Sequence, residues 1–134
     1  MRRLWLVSVL LLSCMTASMA LAARDTATAT FESLTASGIS GQATLRSLPT
    51  GGTEIHGQLT GLEPGVAYMV ALFPDNQTCT TGTVSQQVIE FTANPAGIAT
   101  FNVKVSNVIT AIGSLSVQLV SDQSLQACAA VIVQ

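Results

Sequence analysis

The chain has 134 residues, five basic and seven acidic side chains for a net charge of −2, 49% hydrophobic residues and only 9% charged ones. This length allows one domain with a buried core and leaves no room for a second. So few cations cannot displace counterions along a phosphate backbone, which argues against a nucleic-acid partner and against an anionic membrane surface.

At the N-terminus Met1-Arg2-Arg3 precedes an apolar stretch from Leu4 to Leu12 and then small residues from Ala17 to Ala23. This is the pattern of a secretory signal, because the apolar core falls well short of the roughly 20 residues that cross a bilayer. No later segment is long enough either, so no transmembrane segment is expected. Ala20-Leu21-Ala22 offers a small-x-small cleavage site, which makes 1–22 the signal and 23–134 a single mature domain. The alternative is a lipoprotein signal, Leu11-Leu12-Ser13-Cys14, with Cys14 as a lipidated anchor. Leu12 is large for its position there, and the signal would be very short. Export to the periplasm, the cell surface or the medium follows from either pattern.

Export leaves Cys79 and Cys128 as an even pair in an oxidising compartment, and a disulfide is the default expectation. It would close a loop of about 49 residues, which chain entropy values at roughly 4 kcal/mol.

Thereafter the periodicity is that of strands, with Gly, Pro, Asn and Asp between short runs and no amphipathic helix. Thr26 to Phe31 puts Ala27, Ala29 and Phe31 on one face and threonines on the other. A second run lies near Gly41 to Ser47 and ends at the turn Pro49-Thr50-Gly51-Gly52. Thr53 to Thr60 directs Ile55 and Leu59 inward and Glu54, His56 and Gln58 outward. After the turn Gly61-Leu62-Glu63-Pro64-Gly65, residues Val66 to Phe73 form a strand that is apolar on both faces, hence covered twice. Pro74 to Gln86 reads as a loop. Gln87 to Thr92 and Ile98 to Val105 flank Asn94-Pro95-Ala96-Gly97 as an expected hairpin. Leu115 to Val120 and Ala127 to Val133 complete about eight strands, the signature of an antiparallel sandwich or flattened barrel.

From Gly57-Gln58-Leu59-Thr60-Gly61-Leu62 onward the chain resembles the Cu,Zn superoxide dismutase family. The likeness continues in order through Phe73-Pro74-Asp75-Asn76, Cys79-Thr80-Thr81-Gly82 and Phe91-Thr92-Ala93. Gly97-Ile98-Ala99, Ile112-Gly113-Ser114-Leu115-Ser116-Val117 and Ala127-Cys128 with Ala130-Val131-Ile132 follow. It covers most of the mature chain, with the two cysteines at the family's disulfide positions. The resemblance implies an all-β, eight-stranded Greek-key barrel. It also implies that the loops after Cys79 and between Asp122 and Cys128 are shortened, where the family carries its metal-binding and electrostatic loops.

The same resemblance speaks against the family's activity. Met69 and Ala71 stand where copper-binding imidazoles are expected, Gln118 where a further histidine would be, and Leu125 where an anion-guiding arginine would be. A redox copper site needs nitrogen donors in fixed geometry, and these side chains supply none. The expectation is a domain without cofactor or catalytic residues. Met69, Ala71, Phe73 and Gln118 then form a degenerate face, capped by the loop from Pro74 to Gln86 or open to a partner.

Other candidates are thin. His56 is the single histidine and falls among polar residues on a solvated strand face, with no second imidazole to complete a site. The acids are scattered, and the serines lack a positioned base. Asn76-Gln77-Thr78 fits a glycosylation sequon, relevant in a eukaryotic secretory host. Leu62-Glu63-Pro64-Gly65-Val66-Ala67-Tyr68 resembles the tyrosine corner of fibronectin type III domains, so an immunoglobulin-like sandwich is the second fold expectation. The function expected is a non-catalytic binding or structural module with an unspecified protein or surface partner. Residual copper binding or dismutase activity is one alternative, and an adhesion-type sandwich is the other.

Overall fold

The computed structural model describes residues 25–80 and 85–134, so the expected export signal and the Cys14 anchor lie outside the described residues. Eight strands form: β1 (Thr26–Ser33), β2 (Ser40–Ser47), β3 (Thr53–Thr60), β4 (Ala67–Phe73), β5 (Gln86–Thr92), β6 (Ala99–Val105), β7 (Ser114–Leu119) and β8 (Leu125–Val133). One 3₁₀ turn, Ile109–Ala111, sits between β6 and β7. All ladders are antiparallel, and the order β5-β4-β7-β8-β1-β2-β3-β6 wraps into a nearly closed barrel-like sheet.

The strand faces follow the sequence alternation. Ala27, Ala29 and Phe31 of β1 are buried while Thr26, Thr28 and Thr30 are exposed, and Ile55 and Leu59 of β3 are buried opposite exposed His56 and Gln58. These inward residues meet Leu45, Val70, Leu72, Phe101, Leu115, Val117 and Val131 in one core. Small side chains at Ala27, Ala29, Ala127 and Ala129 let β1 and β8 lie close under that core. At one end Ile109 and Ile112 plug the barrel, and the connection that carries them is held by Thr53 Oγ1, which donates to Asn107 O at 2.8 Å.

β8 is the element that joins the two halves. It pairs with β7 from Leu125 to Ala130 and with β1 from Ala127 to Val133. Register shifts leave Val88 of β5 without a register partner at the Val70/Ala71 step and Gln126 of β8 without one at the Val117/Gln118 step, and these bulges add local twist to β5 and β8.

At the opposite end Leu62 is buried as a second plug. Its N–H donates to Gly97 O at 3.0 Å, and a Cβ on Gly97, which has φ +71°, would lie 2.4 Å from Leu62 O. The tyrosine corner forms: the Glu63 N–H donates to Tyr68 Oη at 3.0 Å, and the Tyr68 ring stacks on Phe91 with centroids 6.0 Å apart. It does so within an eight-stranded barrel order, which is the first of the two fold expectations.

The hairpin expected around Asn94–Gly97 is corrected. The turn exists, with Gly97 N–H donating to Asn94 O at 2.9 Å and the Asn94 Oδ1 accepting from Ala96 and Ile98 N–H groups. Its two strands do not pair with each other. β5 pairs with β4 and β6 pairs with β3, so the turn is a corner between the two ends of the sheet. A turn signal is local, whereas strand partners are chosen by which apolar faces close the core. β8 also begins two residues earlier than expected, at Leu125, which shortens the β7–β8 connection.

Candidate functional site

β4 and β7 bring Met69, Ala71, Phe73 and Gln118 together. Across their ladder Met69 stands opposite Gln118, Ala71 opposite Ser116 and Phe73 opposite Ser114. The residues lie on the side of the sheet away from the main core, yet Met69, Ala71, Phe73 and Gln118 are only 8%, 1%, 2% and 6% exposed. None is presented to solvent.

The loop after β4 folds back over this region. Asn76 Oδ1 accepts from the Thr78 and Thr80 N–H groups at 3.2 and 3.0 Å and holds the loop in a tight turn. Gly113 lies directly beneath it, since a Cβ there would be 2.4 Å from Asn76 O. Cys79, buried and at φ +51°, donates its N–H to Ser114 Oγ and bonds to Cys128 with an S–S distance of 2.09 Å. The disulfide therefore fastens the loop to β8, while the Ser114 contact fastens it to β7.

The buried polar groups here are satisfied. Gln118 Nε2 donates to Ser116 Oγ at 2.9 Å, and Ser116 Oγ donates to Ala71 O at 3.4 Å. The resulting chemistry is that of an amide, two hydroxyls, a thioether and a phenyl ring. Such a set offers hydrogen bonds and packing but no group that titrates near neutrality and no imidazole nitrogen. These residues do not fit a copper or zinc centre of the dismutase kind. Among the described residues no three His, Cys, Asp or Glu side chains gather at one point.

His56 lies elsewhere, exposed on the outer face of β3 between Thr44 of β2 and Asn102 of β6. The next row along these strands is Arg46, Glu54 and Lys104, with Arg46 Nη2 3.1 Å from Glu54 Oε1. Arg46 is half exposed, so this pair is worth less than about 1 kcal/mol. The row borders a shallow groove of about 520 Å³ that Gln134 closes on one side.

A second groove, about 400 Å³, runs beside the disulfide between Thr30, Glu32, Gln77, Cys128 and Ile132. Ile132 and Leu34, both on its wall, are 60% and 50% exposed. Alternation places Ile132 outward in Ala127–Val133, and that was the one signal available for it; Leu34 falls in a connection where periodicity says nothing. Asn76 of the sequon is half-buried, with its amide nitrogen donating to Asp75 Oδ1 at 3.1 Å. Leu125, at the expected arginine position, is half-buried at the start of β8.

Compared with known proteins, the chain matches no family model and no curated protein at a significant level. No described helix is long and apolar enough to cross a membrane.

Proposed function

We propose that the chain is an exported, metal-free member of the Cu,Zn superoxide dismutase-like barrels that serves as a non-catalytic binding or structural module. The carrying observation is the strand order. After β6 the chain crosses back to place β7 beside β4, whose other neighbour is β5. An antiparallel, nearly closed eight-stranded sheet and the Cys79–Cys128 bond support the kinship that the resemblance implies. Met69, Ala71 and Gln118 at the ligand positions supply no imidazole, which supports a scaffold kept without its chemistry.

Export is supported by the disulfide, which persists in oxidising compartments. Metal analysis and a dismutase assay on the purified mature protein test the reading. Less than one-tenth of a copper per chain and no activity above buffer are expected; stoichiometric copper with dismutase activity overturns it. Mass spectrometry of the mature N-terminus separates cleavage after Ala22 from lipidation at Cys14.

A further inference from the structure

β5 differs from every other strand. Among the eight, it alone has no buried residue: Val88, Ile89 and Phe91 are half-buried and Gln86, Gln87, Glu90 and Thr92 are exposed. It stands at one end of the sheet order with β6 at the other, and no ladder joins the two. The backbone N–H and C=O groups on the free edge of β5 therefore have no strand partner among the described residues, which is the template a further strand requires.

The core is thinnest at the same place. Six apolar residues pack against the core while only partly covered, and four of them, Val88, Ile89, Phe91 and Val103, lie on β5 and β6. An unpaired backbone edge and an incompletely covered apolar seam thus coincide. A helix could cover the seam but could not pair with the edge; an extended chain does both at once.

We propose that β5 is the docking edge for an extended segment of a partner polypeptide, which adds to it as a further strand. Its alternate residues are apolar and close the seam over Val88, Phe91 and Val103, while a residue between them that meets Glu90 is basic. The charge follows from Glu90, the only ionisable group of β5, and from seven acids against two bases, Arg46 and Lys104, in the described chain. A second copy is the poorer occupant, because edge-to-edge pairing through β5 brings two Glu90 carboxylates onto one short ladder. The inference rests on the binding-module reading but not on the kinship with dismutases.

The test uses the mature, disulfide-intact protein and a capped seven-residue peptide of four valines alternating with threonine, lysine and threonine. The expected result is saturable binding that slows amide exchange in Gln86–Thr92. N-methylation of the peptide's bonding edge should weaken it about tenfold or more, since several backbone hydrogen bonds are removed. Glu90→Lys, an exposed change that leaves the fold intact by circular dichroism, should weaken binding several-fold. Replacing the peptide's lysine by glutamate should then restore it. No binding at millimolar peptide overturns the proposal, as does binding that protects other strands and ignores N-methylation. Protection of β5 that rises with protein concentration in the absence of peptide assigns the edge to a second copy and equally overturns it. Copper content measured on the same preparation tests the module reading separately.

Discussion

The hydroxyl of Tyr68 accepts the Glu63 backbone N–H at 3.0 Å while its ring stacks on Phe91, so one side chain ties the turn before β4 to β5 across the sheet. Tyr68→Phe keeps the stack and strands the Glu63 N–H, and should cost about 1 kcal/mol in urea unfolding. Tyr68→Ala should cost about 3 to 5 kcal/mol, as for other large aromatic truncations in a core. Equal losses for the two variants would show that the hydroxyl, not the ring, dominates.

Cys79 and Cys128 hold the loop after β4 against β8. Cys128→Ala should lower stability by about 2 to 4 kcal/mol relative to the oxidised protein, and reduction of the wild type should do the same. An unchanged melting temperature in both experiments would mean that the bond adds nothing to the folded state.

Gly97→Ala should destabilise by about 2 kcal/mol or more. The left-handed φ alone costs about 1 to 2 kcal/mol for a residue with a side chain, and the new methyl would press on Leu62 O. Gly65→Ala supplies the contrast: it shares the positive φ, but its Cβ meets nothing within 4 Å, so it should cost only the conformational part. Thermal unfolding of the two variants separates strain from collision.

The Asp122 carboxylate accepts from the Ser124 N–H and hydroxyl at 3.0 and 2.7 Å, and these bonds, the backbone one first, hold its pKa below the ordinary carboxylate value. A depressed folded pKa stabilises above the unfolded value and loses that contribution as pH falls through the folded one. Asp122→Asn should therefore lower the melting temperature slightly near neutrality, with the gap to wild type closing at strongly acidic pH. A gap that widens on acidification would reverse the sign of this linkage.

His56→Ala should change stability by less than about 0.5 kcal/mol, because the side chain is exposed on a polar strand face. Isothermal titration with Cu²⁺ should give the same weak response for both proteins; a lost high-affinity site would assign His56 a ligand role.

Alternation made the strands legible: Ala27, Ala29 and Phe31, or Ile55 and Leu59, announce both a strand and its inward face. The two-sided apolar run of β4 announced double burial, and Leu62 to Tyr68 announced the corner. Pairing was less legible. Asn94–Gly97 signals a turn, but whether Phe91 joins Thr100 or Tyr68 is decided by residues far away in the chain. Ser114, Ser116 and Gln118 read as an outward face, and so they are; their burial depends on a loop whose path is set by a disulfide and by the absence of a side chain at Gly113. As for the site, the residues conveyed which chemistry is missing. The open edge of β5 is a property of non-local topology, and no window of sequence displays it.

The ladder between β1 and β8 carries a kinetic consequence. Thr28 pairs with Ile132, and Gln134 N–H donates to Thr26 O, so the first of the described strands cannot finish its pairing until the last of them has emerged. Contacts so distant along the chain raise the entropic toll of loop closure and slow folding. The barrel of a nascent polypeptide of this design closes only after the last residues of β8 have left the ribosome.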